Sequence, residues 1–378
     1  YIADTGARRI LIGNVDGTVR AVLEKPQSEM FPADKEFLPT DLVVTGTGVL
    51  YALCDGIYQG AVVFDEEHQF SGFFGSNTVE ITLQVIAESL WKKIATKEQR
   101  SRMARYVPVQ YSSIAIDGED FVYTTVASTE DPASRVRRLN PLGNNILVGT
   151  DGRTLTFGDP EKTTYAGSTE MTTLTSVAVC GSGMFAVLDR TGCKVFVYSR
   201  DGDLLSVFGG PGNFEGCFVD PTALCFSGTD LLVLDQKKGV ITTFSLTSYG
   251  EKLLQALEVY MDGRYAESLP LWQEVLRYDA GSYLAALGYG KALYQLGDYE
   301  QAMGYFERAN DKRRYSDAYQ EKLSREMRAH FTGIVVTAAL VIAVPLVLLR
   351  RQRGKRMVAW LKRRRKQKKG GAICDTKP

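Results

Sequence analysis

Histidine is almost missing from this sequence: its 378 residues include two, His68 and His330. That excludes a zinc site of three imidazoles, and no HExxH occurs. A Ser-His-Asp triad would have to use His68, whose charged surroundings in DEEHQF favour a solvated ring over a catalytic one. Cysteine is also sparse. Cys54, Cys180, Cys193, Cys217, Cys225 and Cys374 form no CxxC and no disulfide framework. Cys374 falls in the C-terminal tail; the other five read as buried thiols on strands, with Cys217 and Cys225 the one sequence-near pair to test as a bridge. The glycine-rich stretch GGPGNFEG (209–216) has neither a P-loop lysine nor the GxGxxG order, so it is no phosphate cradle. We expect no cofactor from these residues.

Charge is absent from 331–349, FTGIVVTAALVIAVPLVLL, a run of 19 residues. About 20 such residues at 1.5 Å rise cross a hydrocarbon core of roughly 30 Å, so one transmembrane helix is expected, with a buried core helix as the alternative. Pro345 is compatible, because membrane helices tolerate proline. From Arg350 onward come 13 Lys and Arg with a single acid, Asp375, leaving 32 basic and 43 acidic residues in the preceding 349. The net charge of +1 therefore hides a tail of +12 and a main body of −11. Lys and Arg beside a span stay cytoplasmic. The expected location is the cell membrane, crossed once, with the N-terminal part extracytoplasmic and the tail 350–378 cytoplasmic. Arg350, Arg351, Arg353, Lys355, Arg356, Lys362, Arg363, Arg364 and Arg365 would face anionic lipid, at roughly 1 kcal/mol each. Met357, Val358, Trp360 and Leu361 add an apolar strip suited to the interface. A basic segment directly after a span favours lipid over nucleic acid as its partner. The chain opens with Tyr1 inside a strand-like segment, so we expect an upstream stretch with an export signal or an earlier membrane segment.

Glycine is plentiful, 36 residues, and punctuates a repeat that fills 1–248. Its unit is a set of short apolar strands joined by tight turns: YIADTGARRILI (1–12) with VRAVLE (19–24), then 39–75, 112–140, 175–210 and 221–246. Pro39-Thr40 matches Pro221-Thr222 at the head of a strand. Asp4 stands to Arg9 as Asp189 stands to Lys194, and Phe74-Gly75 matches Phe208-Gly209. Asp-Gly recurs at 16, 117, 151 and 201, where glycine is expected to supply positive φ. Four antiparallel strands per 40–45 residues is a propeller blade. YIADTGARRILI and DRTGCKVFVYSRDG resemble the NHL repeat over most of 1–248. The resemblance implies an all-β, six-bladed NHL-type propeller, N-terminally incomplete here, with the first repeat lacking its inner strand and the fifth an outer one. Residues 77–109 break the pattern with helical spacing and read as a helical insertion.

A second repeat occupies 251–330. Gly263 and Gly297, Tyr265 and Tyr299, Tyr260 and Tyr294, and Trp272 and Phe306 are each 34 apart, with Ser268 and Ala302 at the matching small position. This resembles the tetratricopeptide repeat, here as two hairpins with 317–331 as a capping helix running into the span. The resemblance implies protein docking, with Tyr260, Tyr265, Trp272, Tyr294, Tyr299 and Phe306 as candidate docking residues; a plain stalk is the alternative. The chain thus reads as a multi-domain protein similar to membrane-anchored NHL and tetratricopeptide proteins of Gram-positive bacteria, some of which accompany transporters. We expect a non-enzymatic extracytoplasmic binding or scaffold protein, an accessory subunit of a transporter-type membrane complex, with a small-molecule or glycan ligand open for the propeller. The rival is a surface-tethered, calcium-dependent lactonase-like hydrolase using channel acids such as Asp4, Asp41, Asp55, Asp189 and Asp235.

Overall fold

The computed structural model describes residues 1–75, 110–127, 135–149, 154–159, 163–165, 168–170 and 172–370. The expected helical insertion at 77–109 and Cys374 lie outside the described residues. The chain divides into two compact units, Tyr1–Glu251 and Lys252–Pro378.

In the first unit, apolar alternation and Gly turns produce strands β1 (Ile2–Asp4), β2 (Arg9–Gly13), β3 (Val19–Leu23), β4 (Pro39–Val44), β5 (Leu50–Cys54), β6 (Ala61–Phe64) and β7 (Phe70–Phe74). They continue as β8 (Ser113–Ile116), β9 (Val122–Thr125), β10 (Val136–Leu139), the hairpin β11 (Thr163–Tyr165) and β12 (Ser168–Glu170), and β13 (Leu174–Val179). The last are β14 (Phe185–Asp189), β15 (Lys194–Tyr198), β16 (Leu204–Gly209), β17 (Pro221–Ser227), β18 (Asp230–Asp235) and β19 (Val240–Phe244). Apart from the hairpin they form five meanders: β1–β3, β4–β7, β8–β10, β13–β16 and β17–β19, here the first to fifth sheets. Within each sheet every strand pairs antiparallel with the next, the order found in a propeller blade.

One carboxylate organises the turn between the second and third strand positions. Asp189 Oδ1 accepts from the amides of Thr173 (2.9 Å) and Thr191 (3.1 Å). Asp235 accepts from Val219 (2.7 Å), Asp220 (3.2 Å) and Lys238 (3.0 Å). Asp4 accepts from Ala7 (3.2 Å) and from Arg9 Nε (3.0 Å). Each pairs across the turn with the residue five positions on, Arg9, Lys194 or Val240. By this register β1 holds the second-strand position, equivalent to β14 and β18. One expected turn works differently. At Asp117-Gly118 the left-handed residue is Asp120 (φ 62°) rather than the glycine, because the Asp117 carboxylate already receives the Glu119 and Phe121 amides.

Successive sheets pack in order, β1 beside β4, β4 beside β8, β8 beside β13 and β13 beside β17. Apolar cores fill the spaces between them: Ile10, Ile12 and Leu23 against Leu50, Val62 and Phe64; Leu53 and Ala61 against Ile114 and Leu139; Tyr123 and Val136 against Phe185 and Val187. A repeated polar latch crosses the three later joints. Ile114 N–H donates to Asp41 Oδ2 (3.0 Å), Val177 N–H to Ser113 Oγ (3.3 Å), and Leu224 N–H to Ser176 Oγ (3.3 Å).

Burial raises the Asp41 pKa above its ordinary 3.8, although Ile114 N–H, Ser113 Oγ–H (2.9 Å) and its neighbour Leu42 N–H (2.9 Å) pull the other way. A carboxyl whose pKa is raised by folding stabilises the fold below the unfolded value and loses that contribution as pH rises through the folded one. Asp41→Asn keeps an acceptor oxygen but cannot ionise. Its stability relative to the parent should therefore rise with pH from about 4 upward and level off above the raised value. Urea midpoints over a pH series check this; a pH-independent difference would contradict it.

The second unit is helical: α1 (Ser248–Met261, which begins within the first unit), α2 (Tyr265–Tyr278), α3 (Tyr283–Gln295), α4 (Tyr299–Arg308) and α5 (Lys312–Gly370). Helices α2 to α5 pack each against the next. Helix α3 is buried nearly all round, from Ala285 to Leu293, as a helix between two others must be.

Candidate functional site

The hairpins of the helical unit close on the same device three times. Gly263 (φ 77°), Gly297 (φ 80°) and Asn310 (φ 51°) are left-handed and follow a helix end. Gly263 N–H bonds Tyr260 O (3.0 Å) while Arg264 N–H bonds Val259 O (3.2 Å); Gly297 with Asp298, and Asn310 with Asp311, repeat the pair. This is the Schellman termination, which needs a residue tolerant of positive φ. The ring pairs Tyr260–Tyr265 (5.3 Å) and Tyr294–Tyr299 (5.4 Å) bracket the first two turns. Ser282 and Asp298 cap α3 and α4 through the amides of Ala285 and Gln301.

These contacts place the six residues expected to dock a partner. Trp272 and Phe306 are 2 % exposed and face α3, where Gly288 and Gly290 make room for them. Tyr260 is buried too, and Tyr265, Tyr294 and Tyr299 are half-buried staples of the turns. Their work is to hold helix to helix. Exposed apolar side chains lie at Tyr278, Tyr283 and Leu296 and along α5, where Tyr315, Tyr319, Leu323 and Met327 follow one another at four-residue spacing and are 38–53 % exposed. Sequence reasoning missed this stripe, although its spacing is legible in 312–331.

Helix α5 runs for 59 residues without interruption, roughly 90 Å at 1.5 Å per residue. It carries Ala318, buried, near its start, and a stretch within Val335–Arg364 long and apolar enough to cross a membrane. Pro345 lies inside the helix. Beyond it Arg350, Arg351, Arg353, Lys355, Arg356, Lys362, Arg363 and Arg364 are exposed, and Arg365 continues the helix. Arg364 lies over the Trp360 ring at 4.6 Å.

Of the acids considered for a channel ion, Asp4, Asp189 and Asp235 accept hydrogen bonds in their turns and Asp41 accepts them in the latch. Asp55 sits after β5, its amide bonded to Leu38 O (2.9 Å). Among the described residues no group of three or more His, Cys, Asp and Glu converges. His68 occupies a tight turn with φ 63°, its amide bonded to Asp65 O (2.9 Å). Cys54, Cys180 and Cys193 are buried thiols, Cys217 is half-buried and Cys225 is exposed; all five are free, so Cys217 and Cys225 form no bridge. Burial pushes the Cys54 thiol up to about 12, leaving it inert. The Gly-rich loop 209–216 borders an open concavity of about 730 Å³ lined by Phe214, Val219, Val240, Lys237 and Lys238. Lys238 is committed there, donating to Phe214 O (3.1 Å) and Cys217 O (2.7 Å).

Residues 260–325 match the tetratricopeptide repeat family. Comparison with curated protein sequences finds no match. Among solved structures, virginiamycin B lyase from Staphylococcus aureus is similar at 9 % identity, over 65 % of this chain and 65 % of that one, with a TM-score of 0.34. A streptogramin B lyase matches at 9 % identity over 65 % and 64 %, TM-score 0.35. A protein of unknown function from Bacteroides caccae matches at 13 % over 64 % and 66 %, TM-score 0.35. This chain spans less than two thirds of the length of each. At such identity and score they say nothing of its activity.

Proposed function

We propose that this chain is a single-pass, membrane-anchored scaffold. Its sheets form an NHL-type propeller outside the cell, its tetratricopeptide hairpins dock a partner, and its basic tail lies on the cytoplasmic leaflet. Its work is non-catalytic, as an accessory subunit of a transporter-type membrane complex; the concavity beside Phe214 is where a small-molecule or glycan ligand would enter. The observation that carries the reading is α5. One helix holds the end of the repeats, an apolar stretch of membrane length and a dense cluster of Lys and Arg, in the order that favours an outward repeat domain. The exposed stripe from Tyr315 to Met327 leads straight into the apolar stretch, so its occupant is a helix of another membrane protein.

Mild-detergent affinity purification of the full chain, with mass spectrometry of what accompanies it, tests this. Stoichiometric recovery of a membrane complex is expected. Tyr319→Lys combined with Leu323→Lys should lower partner recovery at least about tenfold, the scale of an interface anchor, without loss of helix content because both side chains are exposed. Recovery of all partners by this double variant, correctly folded, would remove the docking role from α5.

A further inference from the structure

The connection ahead of the fifth sheet leaves open a place that the connection ahead of the second sheet fills. Register identifies the place. In the second sheet Leu50 pairs with Phe64 and Ala52 with Val62; in the fifth Leu231 pairs with Phe244 and Val233 with Thr242. Thr242 therefore stands where the second sheet has Val62. Val62 is fully buried in one cluster with Phe31 and Phe37, both from the connection 24–38. The connection 210–220 is shorter. Its Phe218 reaches Phe244 (5.8 Å between ring centres) as Phe37 reaches Phe64 (6.1 Å). Its other aromatic residue, Phe214, is 78 % exposed. Phe214 and Thr242 border the concavity of about 730 Å³ together with Asn213, Glu215, Val219 and Val240. The backbone that carries Phe214 is fixed: Cys217 N–H donates to Phe214 O (3.2 Å), Gly212 N–H to Phe218 O (2.8 Å) and Phe218 N–H to Gly210 O (2.8 Å).

We propose that this concavity binds a neutral saccharide, one sugar face lying on the Phe214 ring and its hydroxyls bonded to Asn213, Glu215 and Thr242. Sugar binding here rests on the proposed role of the concavity as a ligand's point of entry, and gives that ligand a class. The volume lies in the range of small-ligand sites, about 300–1,000 Å³. The side chains of Asn213, Glu215 and Thr242 have no hydrogen-bond partner among the described residues. An apolar ligand would take water from these three groups and return no hydrogen bond. An anionic ligand would meet the carboxylates of Glu215 and Asp220. Of the two lysines there, Lys238 is spent on the carbonyls of Phe214 and Cys217, and Lys237 stands 3.8 Å from Asp220. A cationic ligand would find a single ring instead of an aromatic cage. A saccharide satisfies both parts of the lining. The C–H face of its ring is apolar and meets Phe214, Val219 and Val240, while its hydroxyls both donate and accept, as do the amide, carboxylate and hydroxyl around it taken together.

Maltohexaose, cellohexaose and chitohexaose are the probes, added to the full chain in a detergent without a sugar headgroup. Calorimetry should show at least one of them binding with a Kd below about 1 mM. Phe214→Trp should report the same sugar by a change of emission that the parent lacks. Phe214→Ala should weaken binding at least about tenfold, the scale of an aromatic anchor. Thr242→Val, which installs the residue of the second sheet, should weaken it several-fold, the scale of one hydrogen bond. Phe214 is exposed, so its variants should melt as the parent does. Absence of binding by all three sugars would overturn the proposal, and so would binding that a folded Phe214→Ala chain retains in full. Tighter binding of sulfated cellohexaose than of the neutral sugar would overturn the neutral class. A peptide with the sequence of residues 203–210, which include β16, tests the other occupant, a strand added to β19, whose outer edge no described strand flanks. A response of Phe214→Trp to this peptide and to no sugar would overturn the saccharide and leave a ligand site there. Silence toward sugars and peptide alike would remove both.

Discussion

Trp272→Ala is expected to destabilise the helical unit by about 3–5 kcal/mol, the range for removing a large buried aromatic. The indole of Trp272 lies so close over Gly288 that a Cβ there would come within 2.5–2.6 Å of three ring atoms. Removing the ring leaves α2 and α3 separated by a void that backbone contact cannot fill. The complementary change, Gly288→Ala, forces the ring aside and should cost about 1–3 kcal/mol by overpacking. Trp272→Phe should be far milder, because Trp272 Nε1 is buried without a hydrogen-bond partner and phenylalanine removes that donor. Amide exchange in α2 and α3 is the measurement: about a hundredfold acceleration or more for Trp272→Ala follows from 3 kcal/mol. Exchange as slow as in the parent would mean that the ring does not hold these helices together.

Leu340→Arg should abolish stable membrane association. An arginine at the centre of a spanning helix is disfavoured by about 2.5–3.5 kcal/mol on the insertion scale, against a small gain for leucine. Leu340 is 55 % exposed on α5. Resistance to alkaline extraction should fall from nearly complete to nearly none, while Val341→Leu on the same helix leaves it unchanged. Extraction of the parent chain at alkaline pH would instead mean that α5 does not cross a bilayer.

The 34-residue period was readable because it rests on backbone necessity. A helix ending in the Schellman geometry needs a left-handed residue, so Gly263 and Gly297 show their role without any knowledge of their neighbours. The role of Trp272 and Phe306 was not readable. Both are aromatic at matching positions of a helix, and a partner surface or a core would use the same residue type. Gly288 and Gly290 decide for the core, because only packing α3 between α2 and α4 brings those glycines under the rings. The stripe on α5 was legible as spacing, but its exposure depends on which face of α5 meets α4.

The strands divide in the same way. Alternation, Asp-Gly and Pro-Thr heads locate β4, β14, β15 and β17 from composition alone, since turns and strands are short-range choices. The latch residues Asp41, Ser113 and Ser176 carry no local mark, and their partners lie 73, 64 and 48 residues away. In the sequence Asp41 is one more acid near the head of a strand, and only the packing of β4 beside β8 brings its carboxylate to Ile114 N–H. Local order, the helix terminations, the apolar length of α5 and the opposite charges of body and tail follow from residues close in the chain, through backbone sterics, solvation and charge. Which aromatic is core, which acid is a latch and which faces stay open follow from contacts between distant segments, because burial is a property of the neighbours a residue acquires and not of the residue.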